Sequence, residues 1–86
     1  MRIAKINPRT DYTLHILSED GREGIFDVNP YLQYEAFSEL KNQNAFKKIM
    51  NGGYFIEWDC GADLSADTIE ANLKLFDTNK KLNKIE

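Results

Sequence analysis

The alternation of apolar and polar residues predicts three short strands in the first third of the chain. The candidates cover residues 2–7, 12–18 and 22–28. The segments that separate them, Asn7-Pro8-Arg9-Thr10-Asp11 and Glu19-Asp20-Gly21, have the composition of turns. Since short turns join antiparallel neighbours, the sequence predicts an antiparallel meander.

The loop between the second and third strands decides their register. A two-residue Asp-Gly loop leaves neither face apolar. A three-residue loop, with Gly21 in the left-handed conformation, places Leu14 opposite Phe26 and Tyr12 opposite Val28. A slip of one residue would exchange the two faces, so we predict the three-residue loop.

Helical spacing follows in the middle of the chain. Asn29-Pro30 predicts an N-cap and the first residue of a short helical turn. Phe46, Ile49 and Met50 would share one face of a longer helix that ends at Asn51-Gly52-Gly53.

The stretch from Tyr54 to Ile69 organises the predicted fold. Trp58, the only tryptophan, alternates with Glu57 in a strand and is the expected centre of the core. Gly61 permits the turn that follows it, where Asp63 would accept hydrogen bonds from backbone amides.

Ser65 is the predicted N-cap of a second helix, since its hydroxyl can accept the N–H of Thr68. The apolar stripe of this helix would continue through Leu73 to Phe76. We therefore predict one α+β domain over residues 1–76, an antiparallel meander with a fourth strand and two packed helices. Residues 77–86 are polar, and we expect them to form a frayed tail.

Composition narrows the classes of function. The net charge of −3 argues against direct binding of nucleic acid, which needs clustered lysine and arginine. A single cysteine cannot form an internal disulfide and indicates a reducing, cytoplasmic setting. No stretch approaches the ~20 apolar residues that cross a bilayer, so we expect no membrane insertion.

The sequence resembles a small bacterial family, Domain of Unknown Function 2442. The resemblance covers about residues 3–73 and is carried by Asp20-Gly21, Asp27, Phe37-x-x-Leu40, Phe46 and Ile56-x-Trp58-x-x-Gly61-x-Asp63-Leu64-Ser65. It departs from the usual pattern at Cys60, where a polar residue such as asparagine is expected. The resemblance implies a compact α+β fold without an established activity. Relatives are often encoded beside another small protein, which suggests a toxin–antitoxin-like pair.

Three groups could carry chemistry. His15 is the only histidine, and we expect it on an exposed sheet face with Ile25 opposite. Cys60 follows Trp58 by two residues, so we expect it to point inward as a small buried side chain. Asp59 and Asp63 belong to an acidic cluster with Glu57 and Asp67, but the spacing does not match a calcium-binding loop. We therefore predict no catalytic residues, cofactor or metal.

Apolar side chains on faces that should point outward indicate a protein interface. These are Leu17, Ile25 and Phe55. We expect a protein-interaction module that binds a protein partner or itself. The alternative is a small hydrolase or metal-dependent enzyme that uses Cys60, His15 or the carboxylates of Asp59 and Asp63.

Overall fold

A computed structural model describes residues 1–76, and the expected frayed tail over residues 77–86 lies outside the described residues. The strands are β1 (Ile3–Pro8), β2 (Thr13–Ser18), β3 (Glu23–Asp27), β4 (Ile49–Asn51), β5 (Phe55–Trp58), β6 (Asp63–Ser65) and β7 (Lys74–Leu75). The α-helices are α1 (Gln43–Lys47) and α2 (Ala66–Asn72), and 3₁₀ helices cover Asn29–Tyr31 and Glu35–Lys41.

The strands form two antiparallel sheets. The first sheet has the order β1-β2-β3-β7 and contains the predicted meander, while the second has the order β4-β5-β6. The predicted α+β class with an antiparallel meander is confirmed. The predicted fourth strand, which carries Trp58, is the centre of the second sheet and does not extend the meander.

The β2–β3 hairpin has the predicted register. Leu14 lies opposite Phe26, and both are buried. Gly21 has a φ of +93°, and the Ser18 N–H donates to the Arg22 carbonyl at 2.8 Å across the three-residue loop. The residue type that tolerates the left-handed region therefore occupies the position where this loop requires it.

The second sheet places Trp58 in the core. The side chains of Ile56 and Trp58 point inward and are buried. The Trp58 indole stacks with Phe46 at 6.0 Å between ring centroids and meets Phe37 edge-on at 6.2 Å. These aromatic contacts join the second sheet to α1 and to the preceding 3₁₀ helix.

The prediction of a helix that continues through Ile49 and Met50 was wrong. Helix α1 ends at Lys47, and Ile49 and Met50 form a strand opposite Trp58 and Glu57. Asn51-Gly52-Gly53 opens the β4–β5 hairpin instead of ending a helix. Pairing with β5 and the partial burial of Ile49 against the core together outweigh the apparent helical spacing.

Two further boundaries differ from the prediction. Helix α2 stops at Asn72, so the stripe through Leu73 to Phe76 is not helical, and Lys74–Leu75 pairs with β3. Near residue 29 the N-cap is Val28. The Asn29 side chain donates instead to the Asp11 carbonyl at 2.9 Å. In both places a hydrogen-bond partner that is distant in the sequence decides the structure, and the local sequence pattern does not.

Candidate interaction surface

The predicted surface residues Leu17 and Ile25 lie on the outer face of the first sheet, and both are half-buried. Part of that face is occupied by the chain itself. Lys74 of β7 lies opposite Ile25, and the Phe76 N–H donates to the Glu23 carbonyl at 2.9 Å. The apolar area that Leu17 and Ile25 leave open is therefore smaller than the sequence suggested.

Phe55 lies on the other sheet, so the three predicted residues do not share one surface. Its side chain is 40% exposed on the outer face of β5. Met50, on the neighbouring strand β4, is 55% exposed. Strand alternation places Met50 on the same face as Phe55, so two large, exposed apolar side chains share this face. We call this outer surface of the second sheet, with Met50, Phe55, Glu57 and Asp63, the β4–β5–β6 face.

The polar part of the β4–β5–β6 face is acidic. Glu57 lies directly opposite Asp63 in the β5–β6 pair. Within residues 1–76 neither carboxylate has a lysine or arginine nitrogen within 4.0 Å. The Asp63 carboxylate accepts no hydrogen bond there, which corrects the expectation that it would accept from backbone amides. Like charges that face each other across strands are unfavourable. A cationic group between them would remove that repulsion.

His15 lies on the outer face of β2, with Ile25 opposite as expected. Its Nε2 is 2.5 Å from Glu23 Oε2, and its ring stacks on Phe76 with 5.6 Å between centroids. The carboxylate that it meets thus belongs to the neighbouring strand. No nucleophilic side chain contacts His15 among the described residues.

Cys60 is exposed, which corrects the expectation of an inward thiol. Strand β5 ends at Trp58, and the Trp58 N–H donates to the Ala62 carbonyl at 2.8 Å across the loop. Gly61 has a φ of +98° in this loop. Strand alternation cannot be extended to Cys60 because the residue lies at the tip of a hairpin.

The carboxylates proposed for the enzyme alternative are separated from the histidine. Asp59 and Cys60 line a surface groove of about 690 Å³ with Lys48, and His15 is not among its lining residues. Among residues 1–76, no three histidine, cysteine or acidic side chains are close enough to hold a metal ion. The structure therefore does not bring His15, Cys60 and Asp59 into one pocket.

An ion-pair network ties the amino terminus to α2 and to the β2–β3 loop. Glu70 accepts from the Met1 amino group at 2.7 Å and from Arg22 at 2.8 Å, and Arg22 also pairs with Asp20. Hydrogen bonds from the amino terminus and from Arg22 lower the pKa of Glu70. Hydrogen bonds from Arg22 and then from Ser18 hold the pKa of Asp20 far below its usual range. We interpret this network as structural, since both carboxylates are satisfied within the chain.

Sequence reasoning missed Met50 as a surface residue because it was assigned to a helix face. Its alternation with Ile49 and Asn51, directly before two glycines, was the available strand signal.

Comparison with known families agrees with the resemblance noted above. The model of a family described as "Protein of unknown function (DUF2442)" matches residues 3–74. No curated protein and no solved structure matches the chain significantly. No helix within residues 1–76 has the length and apolar character needed to cross a membrane. Since the family match covers most of the 86 residues, the chain belongs to the DUF2442 family.

Proposed function

We propose that this protein is a cytoplasmic protein-interaction module that docks through the β4–β5–β6 face. The observation that carries the proposal is the exposure of Met50 and Phe55 on the same face of two neighbouring strands. Large apolar groups gathered on one face are typical of protein interfaces. Full burial of a methionine or phenylalanine side chain contributes roughly 1.5–3 kcal/mol, and about half of that is still available here.

The acidic pair gives this interface its selectivity. Glu57 and Asp63 lie opposite each other on this face, and a basic partner would be attracted by both carboxylates. Such a surface disfavours acidic partners and speeds association with basic ones. The expected partner therefore presents lysine or arginine beside apolar side chains.

The family resemblance suggests where to find that partner. In the arrangement noted above, relatives are encoded beside another small bacterial protein. We expect the partner to be such a neighbour, which would make this chain one half of a toxin–antitoxin-like pair. Self-association through the same face is the competing possibility.

Affinity capture from lysate, with the tagged protein near its native level, tests the proposal. We expect one stoichiometric small protein, lost with Phe55→Asp and with Met50→Asp. Leu17→Asp, on the outer face of the first sheet, is the matched control and should retain the partner. If the partner is lost with Leu17→Asp alone, the interface lies on the first sheet instead. Absence of any partner, together with a monomeric mass in solution, would refute the interaction role.

We favour a binding function over an enzymatic one because Cys60 and Asp59 line a groove to which His15 does not contribute. A thermal-shift experiment with millimolar Ca²⁺, Mg²⁺ or Mn²⁺ examines the enzyme alternative. We expect no change in the midpoint, and a stabilisation lost with Asp59→Asn and Asp63→Asn would revive a metal-dependent activity.

A further inference from the structure

A second site lies away from the β4–β5–β6 face, where β3 ends near the carboxyl end of α2. A groove of about 360 Å³ opens there between Asp27, Tyr31, Tyr34 and Asn72, with Gln33 at its side. None of these residues belongs to the β4–β5–β6 face, so the groove is independent of the function proposed above. We propose that it binds the side chain of an arginine presented by a partner polypeptide.

The aromatic wall suits a flat cation. The Tyr34 side chain is 56% exposed, so one face of its ring is open to a ligand. Tyr31 is held in place by Phe26, with 5.8 Å between ring centroids, and by Phe37 at 5.4 Å. A guanidinium group stacks on such rings and is attracted by their negative faces.

Several acceptor oxygens are left open in the groove. Asp27 Oδ1 receives the Asn29 N–H at 2.9 Å, and within residues 1–76 its Oδ2 accepts no hydrogen bond. The Gln33 amide nitrogen donates to the Pro30 carbonyl at 3.1 Å, and the Asn72 amide nitrogen donates to the Thr68 carbonyl at 3.0 Å. One N–H of each amide is thus engaged, and neither amide oxygen has a partner within the described residues. A ligand that supplies donors can satisfy these oxygens, and it should be cationic because Asp27 is a carboxylate.

Arginine fits these requirements better than lysine. Its guanidinium offers five N–H donors in one plane, which can reach several acceptors while the flat face lies against Tyr34. A lysine ammonium is a compact point charge that cannot stack in this way. The groove is also an open surface feature beside an exposed 3₁₀ segment, so a side chain from another polypeptide can enter it.

The test is a nuclear magnetic resonance titration of the full ¹⁵N-labelled chain with the capped peptide Ac-Ala-Arg-Ala-NH₂. We expect saturable shifts of the amides of Asp27, Tyr31, Tyr34 and Asn72, with a dissociation constant in the millimolar range. The lysine peptide Ac-Ala-Lys-Ala-NH₂ should bind several-fold more weakly. Shifts without saturation, or equal affinity for both peptides, would overturn the proposal by reducing it to general attraction between charges.

Three variants separate the groove from the rest of the surface. Asp27→Asn keeps an oxygen for the Asn29 N–H and should weaken the arginine peptide about tenfold, as expected for a lost charge-assisted bond. Tyr34→Leu should weaken it about threefold. Tyr54→Leu is the matched control, because Tyr54 is another exposed tyrosine outside the groove, and it should bind as the parent does.

The amide spectrum of each variant shows whether the variant is folded. Each variant must retain the dispersed amide spectrum of the parent. If Asp27→Asn does not, Tyr34→Leu is compared with Tyr34→Phe, which removes only the hydroxyl and should still bind, and equal affinity of these two variants would refute the groove. Tighter binding of free arginine than of the capped peptide would refute a polypeptide ligand. Unchanged affinity in folded Asp27→Asn would refute the groove itself.

Discussion

Trp58→Phe tests whether the indole N–H holds the end of α1 to the second sheet. Trp58 is 1% exposed, and its Nε1–H donates to the Phe46 carbonyl at 3.0 Å. Phe46 lies in the last turn of α1, where carbonyls have no partner within the helix. The indole therefore satisfies a carbonyl that would otherwise be buried and unpaired.

The cost of the substitution has two parts. An orphaned buried carbonyl costs about 1–3 kcal/mol. The smaller phenyl ring removes roughly 40 Å² of buried apolar surface, worth about 1 kcal/mol at ~25 cal/mol/Å². We therefore expect a loss of about 2–4 kcal/mol, which is a large fraction of the roughly 5–10 kcal/mol that stabilises a domain of this size.

Urea denaturation followed by far-ultraviolet circular dichroism measures this loss. Tryptophan fluorescence is unsuitable, because the substitution removes the only tryptophan. Tyr54→Phe is the control, since it removes a hydroxyl from a side chain that is 66% exposed, and it should change the free energy of unfolding by less than about 0.5 kcal/mol. A loss below about 1 kcal/mol for Trp58→Phe, with an unchanged denaturant dependence, would refute the role given to the indole hydrogen bond.

Three further predictions concern strand β7, the α2 cap and the ion-pair network. Gly24→Ala should cost about 1–3 kcal/mol and speed hydrogen exchange at the Phe76 amide, which donates to the Glu23 carbonyl, because a Cβ at position 24 would collide with the Lys74 carbonyl oxygen. An unchanged exchange rate at Phe76 would mean that β7 does not pair there. Ser65→Ala should cost about 0.5–2 kcal/mol in urea denaturation, because Ser65 Oγ accepts the Thr68 N–H at 3.1 Å, and an unchanged midpoint would contradict the cap. The pKa values of Asp20 and Glu70 are lowered in the folded state, so their contribution is present above the unfolded-state pKa and is lost as pH falls below about 5. The double variant Asp20→Asn, Glu70→Gln should flatten the fall in melting temperature between pH 5 and pH 3, and a profile parallel to that of the parent would contradict the linkage.

The parts of the fold that local chemistry decides could be predicted from the sequence. In the β2–β3 hairpin only one loop length leaves an apolar face, and Gly21 stands where that loop needs a positive φ. The capping hydroxyl of Ser65 is a similar case, since a side chain and an amide three residues apart decide it. Both features depend on residues within a few positions of each other.

The parts that depend on distant partners could not be predicted in the same way. Ile49 and Met50 have the spacing of a helix, but they form a strand because β5 lies beside them and pairs with them. Lys74–Leu75 carries no strand signal of its own, and it pairs with β3 where Gly24 leaves room for its backbone. That pairing also changed the candidate surface. Strand β7 borders Ile25 on the first sheet, and the most exposed of the three predicted surface residues is Phe55 on the second sheet.

The exposure of Cys60 could have been predicted from the rule for three-residue hairpin loops. Asp59-Cys60-Gly61 has the same arrangement as Glu19-Asp20-Gly21, a three-residue loop that ends in a glycine with positive φ. In each loop the glycine N–H donates to the carbonyl of the last strand residue, at 2.9 Å to Trp58 and at 3.1 Å to Ser18. The rule applied to the first hairpin therefore also predicts β6 and an exposed Cys60 in the second. It further places Asp63 opposite Glu57, so the acidic pair proposed to select a basic partner is a consequence of the same loop length.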